Sequence, residues 1–262
     1  MTPLFLGLPH LLFFGVHRPY QAWRARHALR LSAGPLPDRG RYFRAMVLQL
    51  GTLGGISLAM LVILWMLASP SPSAAHIFVF GRAASSARDV WSGLFPAQWP
   101  SLGALAYGGL AYAVMVGIDV PFSRRCIERG ERQSHFSMPQ NRSERLWWIA
   151  LSAAAGISEE ITWRGVQPEL MAQIAGSLWP AVLLCAATFG LGHISQGWRW
   201  AMVTAAFGLL FHALVWLTGS LYVAIVVHMA VNVTVGLYSG LMGRRVGYDP
   251  VCNAVGQQPV RR

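Results

Sequence analysis

The sequence predicts an all-α fold, a polytopic bundle of transmembrane helices. Three observations carry that expectation. Of 262 residues, 54% are hydrophobic and only 12% charged, a balance that soluble domains rarely show. Six apolar stretches approach the roughly 20 residues that a helix needs to cross about 30 Å of hydrocarbon. Apart from Arg164, the basic residues lie outside those stretches, in particular flanking segments.

The spans are expected at 46–68, 102–118, 146–168, 178–194, 200–218 and 221–243. Irregular chain cannot satisfy its backbone in lipid, so all six read as helices. Residues 3–16, PLFLGLPHLLFFGV, are apolar but short and interrupted by Pro9, and they lack the basic start and small-residue cleavage site of a signal peptide. They read as an interfacial or re-entrant helix, with a seventh span as the alternative. The expected division is a basic N-terminal arm at 1–45 that carries this short helix, a transmembrane domain at 46–243 and a cytoplasmic tail at 244–262. The Ser/Pro/Gly-rich loop at 69–101 is expected to be irregular.

All 21 basic residues are Arg, set against 10 acidic ones, for a net charge of +11. They cluster in 18–44, 119–145 and 244–262, whereas the 69–101 loop has only Arg82 and Arg88. With six spans every Arg-rich segment falls on one face, which the positive-inside rule assigns to the cytoplasm. Topology and anionic lipid therefore account for the charge, and no nucleic-acid partner is expected. A basic complement without Lys suggests a GC-rich bacterial genome, hence the inner (cytoplasmic) membrane. Cys126, Cys185 and Cys252 show no CxxC spacing and argue against a disulfide framework.

The stretch AAAGISEEITWRG, residues 153–165, places Glu159, Glu160 and Arg164 inside the third expected span. An ionised group at the bilayer centre costs at least about 2.5–3.5 kcal/mol, so such groups face the bundle interior and find partners. Glu160 and Arg164 are four residues apart and share a helix face, while Glu159 is rotated about 100° away. That helix alone is compatible with a structural ion pair beside a polar cavity, and equally with Glu159 tuned as a general base. Two later spans add His193, in FGLGHIS, and His228 with Asn232, in HMAVN. At 1.5 Å per residue, Glu159 and His228 both fall near mid-membrane, so a single polar chamber is allowed. Within it, Glu159 and His193 can hold and deprotonate a water, and the His228 imidazole and Asn232 amide can donate to a tetrahedral oxyanion. That inventory is sufficient for peptide-bond hydrolysis.

The motifs EExxxR (Glu159, Glu160, Arg164), FxxxH (Phe189, His193) and HxxxN (His228, Asn232), in this order on successive hydrophobic helices, resemble the CPBP or Abi family of CaaX-type intramembrane proteases. The resemblance covers about 146–243, the expected protease core; Trp163 stands where the family more often has Phe or Tyr. It implies a glutamate-dependent endopeptidase in which Glu159 activates water with His193, His228 and Asn232 stabilise the oxyanion, and Glu160 and Arg164 support the site. The implied substrate is a membrane-anchored protein or peptide, cut at a C-terminal tail or CaaX-like sequence. No cofactor is expected. Zinc is the alternative, because Glu and two His are ordinary zinc ligands, but HExxH is absent and the Asn232 amide suits an oxyanion better than a metal.

Other protease classes lack their residues. GISEE has no second Gly for a serine-nucleophile turn, and no pair of intramembrane Asp residues is present. Cys185 reads as packing, and His212 in the fifth span as packing or cavity lining. Gly51 with Gly55, and Gly236 with Gly240, have the spacing of close helix contacts. The competing function is a non-catalytic immunity factor, scaffold or carrier that uses the same chamber. The oligomeric state does not follow from the sequence.

Overall fold

The computed structural model describes residues 3–31, 36–67, 77–79, 82–84, 100–175 and 177–248. In chain order these form α1 (Pro3–Leu12), a π-helical turn (Phe13–His17), α2 (Arg18–Leu31) and α3 (Arg39–Leu67). After them come two three-residue strands, β1 (Ile77–Val79) and β2 (Arg82–Ala84), then α4 (Leu102–Glu128) and a 3-10 turn (Arg132–Ser137). The run α5 (Arg142–Glu160), π turn (Ile161–Val166) and α6 (Gln167–Ala175) precedes α7 (Leu178–Gly192), the 3-10 turn Ile194–Gln196, α8 (Trp198–Thr218) and α9 (Leu221–Arg245).

The all-helical expectation holds, with one small departure. β1 and β2 pair antiparallel inside the loop expected to be irregular; the rest of that loop up to residue 99, and the tail beyond residue 248, lie outside the described residues. Three helix starts follow from capping residues. Ser101 accepts from the Ala104 amide at 3.1 Å, Asn141 from the Glu144 amide at 2.9 Å and Ser220 from the Tyr222 amide at 3.1 Å, each satisfying a first-turn N–H that has no helical partner. Gly219 closes α8 with φ +64°, a left-handed conformation that side chains disfavour.

Among the described residues, four helices are long and apolar enough to cross a membrane: Arg39–Ile63, Leu102–Glu128, Trp198–Thr218 and Leu221–Arg245. Leu178–Gly192 is apolar but shorter. The third expected span is helical too, extending from Arg142 to Ala175 through its π turn. Large apolar side chains such as Leu102, Leu110, Trp179 and Val226 point outward, a surface that suits lipid better than water.

α9 packs against α4, α5 and α8, α3 packs along α5, and α7 lies against α6 and α8. Glycines set several of these approaches. A Cβ on Gly156 would meet Met229 Cγ at 2.6 Å, one on Gly236 would overlap the Trp148 indole, and one on Gly240 would collide with the Pro139 carbonyl. The spacing of Gly236 and Gly240 therefore does mark a close contact. Gly51 and Gly55 do not: both face open space, and Gly54 takes the role, its position for a Cβ lying 2.7 Å from Ser158 Cβ. The reason is register, since the residue between the two motif positions is the one turned toward α5.

Residues 3–16 are the first half of a longer helical run. It extends to Leu31 and docks on α3, α6 and α7. His10 Nε2 lies 2.9 Å from Ser57 Oγ, Ser57 Oγ lies 2.7 Å from Thr162 Oγ1, and Thr162 Oγ1 donates to the Ser158 carbonyl at 2.7 Å. Gln167 Nε2 donates to His10 Nδ1 at 3.1 Å, so the His10 proton sits on Nε2 and each later link has one donor. Both π turns end two residues before a proline, Pro19 and Pro168. A helical proline lacks its N–H and crowds the carbonyl four residues back, and a widened turn relieves that crowding. Gln167 accordingly donates to the Thr162 carbonyl, five residues back. Pro121 sits in α4 without such a turn, so a proline permits the π turn without dictating it.

Candidate active site

The EExxxR residues lie at the junction of α5 with its π turn, where such turns are often found at functional sites. Glu160 and Arg164 are fully enclosed, and their ion pair is 3.1 Å long (Arg164 Nη1 to Glu160 Oε1). Glu159 keeps 15% of its side-chain surface exposed. The two adjacent carboxylates are thus separated into a sealed one and an accessible one, as the 100° rotation between them requires.

Arg164 is held on three sides. Its guanidinium lies between the rings of Phe189 and Phe211, 4.6 and 4.9 Å from their centroids, and Nη2 donates to the Gly208 carbonyl at 3.3 Å. The aromatic residue of FxxxH therefore stacks on the cation of EExxxR, which gives that motif position a physical role. Trp163 packs edge-on against Phe14 and Phe189, with centroids 5.9 and 5.8 Å away, and so ties the site helix to the N-terminal run.

Glu160 has a second partner that the sequence did not reveal. His228 Nδ1 donates to Glu160 Oε1 at 2.7 Å, while its Nε2 lies 3.8 Å from Glu159 Oε2. One carboxylate oxygen accordingly receives both Arg164 and His228, and the imidazole bridges the two glutamates. Its ring stacks on Phe211 at 5.1 Å.

His193 caps α7, and its Nδ1 lies 2.9 Å from the Phe189 carbonyl. A carbonyl only accepts, so Nδ1 carries the proton and Nε2 presents a lone pair. Glu159, His193, His228 and Asn232 all line one cavity of about 400 Å³, with Phe189, Phe207 and Phe211 forming apolar wall. The Asn232 backbone carbonyl accepts from Trp148 Nε1 at 2.9 Å, which fixes α9 against α5 at this level. All four residues that the sequence singled out for chemistry are gathered in that chamber, and Glu160 and Arg164 lie immediately behind it.

Cys185 is in the apolar core beside Met171, its Sγ 3.5 Å from the thioether sulfur. His212 is buried outside the cavity lining, and its Nε2 has no hydrogen-bond partner among the described residues. Both therefore take packing positions. Among the described residues, no three His, Cys, Asp or Glu side chains form a group that could hold a metal ion.

Sequence reasoning missed Asp119. It is 5% exposed, lines the same cavity and accepts from Ser123 Oγ at 2.9 Å. The expected span ended at 118, which left Asp119 in a polar segment, whereas α4 continues to Glu128. An acid with a Ser four residues on, just beyond an apolar run, was the available signal.

The helical bundle thus holds a sealed ion pair, an accessible carboxylate and two histidines around one chamber. Residues 141–234 match the family model described as type II CAAX prenyl endopeptidase Rce1-like. The resemblance to CaaX-type proteases is thus found by comparison over the segment that carries all three motifs. No curated protein and no solved structure matches the chain. The four membrane-capable helices and this match together make it an integral membrane protein.

Proposed function

We propose that this protein is an intramembrane endopeptidase that hydrolyses a peptide bond of a membrane-associated protein or peptide, at a C-terminal tail or CaaX-like sequence. The observation that carries the reading is the division of labour between two neighbouring carboxylates. Glu160 is enclosed and holds Arg164 and His228 on one oxygen, whereas Glu159 opens on a chamber that also holds the Nε2 lone pair of His193.

In this reading a water donates hydrogen bonds to Glu159 and His193; Glu159 takes its proton as the water oxygen bonds to the scissile carbonyl carbon, and passes that proton to the departing amine as the C–N bond breaks. Asn232 donates its amide to the developing oxyanion. His228 joins it when protonated at both nitrogens: Nδ1–H stays on Glu160, and Nε2–H turns from Glu159 to the oxyanion. Arg164 holds Glu160, and Glu160 in turn orients His228. We assign Glu159 this role without a metal and place the protein in a bacterial inner membrane.

The test is a comparison of membrane-protein C-termini in cells that carry the wild-type chain or Glu159→Gln at equal abundance. A set of shortened C-termini present only with the wild type is expected. Identical termini, with Glu159→Gln complementing a deletion, would favour the non-catalytic alternative. Stoichiometric zinc lost together with activity on chelation would overturn the metal-free assignment.

A further inference from the structure

Asp119 is a carboxylate inside the chamber that the proposed hydrolytic steps do not use. It lies on α4, on a different helix from the EExxxR residues, and is only 5% exposed. Its one hydrogen bond among the described residues comes from Ser123 on the same helix and occupies Oδ1. The neighbouring walls supply Cys126, Gln133 and Thr204, none of which is a cation.

The charge balance of the chamber is the reverse of that of the chain. With 21 Arg and a net charge of +11, the protein places no Arg among the described residues lining this cavity, but it places two carboxylates there, Glu159 and Asp119. Glu159 faces His228; Asp119 faces no cationic side chain of the lining. A carboxylate withdrawn from water at this depth is costly unless an opposite charge or several donors meet it. No cation of the described lining meets that charge, and an occupant of the chamber can supply one.

We propose that Asp119 is a specificity-determining residue that receives a cationic side chain, Lys or Arg, of the substrate near the bond to be cut. This rests on the endopeptidase reading and adds a requirement that the reading does not contain. Apolar wall from Phe122, Phe207 and Met115 would cover the aliphatic stem of such a side chain while its head reaches Oδ2.

The test separates binding from cleavage. The full-length chain carrying Glu159→Gln is reconstituted in lipid nanodiscs and titrated with a dansylated apolar peptide bearing one central Lys, and with its norleucine twin. Tighter binding of the Lys peptide by about 10-fold or more is expected. Adding Asp119→Asn, which keeps the shape and the Ser123 contact, should bring the ratio close to one, and Asp119→Glu should restore part of it. A ratio near one without the Asp119 change, or a Lys preference that survives Asp119→Asn, would overturn the proposal. Lys-selective binding without cleavage of the peptides by the wild-type chain, together with unchanged cellular C-termini, would remove the endopeptidase reading and leave the cation site standing. Cleavage by the wild type at sites with no basic enrichment would do the opposite.

Discussion

Two polar networks leave the same stretch of helix in different directions. One runs from Thr162 through Ser57 to His10 and Gln167; the other joins Glu160 to Arg164 and His228 and ends at Glu159. In the first, the linking atoms form an ordered donor-to-acceptor chain between helices, closed off from the chamber. In the second, the inner members are equally enclosed, but Glu159 and the neighbouring His193 retain acceptors directed at open space. A buried donor-to-acceptor chain in an apolar interior fixes geometry; acceptors that face a cavity can take a proton. The difference distinguishes the part of the bundle that holds the site helix in place from the part that carries chemistry.

Breaking the inner members of the second network should have the largest effect. Arg164→Met leaves Glu160 enclosed without its cation, and a loss of about 3–5 kcal/mol of stability is expected, read as a fall in thermal unfolding temperature in detergent. Unchanged stability would mean that water reaches Glu160 and that the network is less sealed than its 0% exposure indicates. Next comes the rim of the chamber. Asn232→Ala should lower kcat by roughly 10²–10³-fold while leaving the unfolding temperature nearly unaltered, because its side chain does not hold the helices together. The smallest effect belongs to the first network: Ser57→Ala interrupts the chain between His10 and Thr162 and should cost about 1–3 kcal/mol, with the cleavage rate of the folded fraction maintained. A large fall in kcat there would show that the two networks are coupled through the π turn.

The site was more legible in the sequence than its support. Glu159, His193, His228 and Asn232 could be placed together because charged and polar residues are rare in apolar helices and each marks an inward face. The i, i+4 relation also anticipated the Glu160–Arg164 pair. The link from His228 to Glu160 was not legible, because it depends on how α9 is rotated against α5, which no spacing within either helix encodes. The same limit explains Gly51 and Gly55: the motif spacing was present, yet the face turned toward α5 is that of Gly54. The N-terminal run was misjudged in extent for a different reason. Pro9 looked like a break, whereas the chain stays helical through it and, by way of a π turn, through Pro19 as well.

The claim that adjacent carboxylates have separate duties is tested most directly by measuring peptide cleavage and thermal unfolding side by side for Glu159→Gln and Glu160→Gln in one lipid preparation. Glu159→Gln should abolish cleavage, by roughly 10²–10⁴-fold, with an unfolding temperature close to that of the wild type, whereas Glu160→Gln should lower the unfolding temperature markedly because Arg164 is left unpaired in the interior. Full cleavage by Glu159→Gln, or a stability loss confined to that variant, would contradict the assignment.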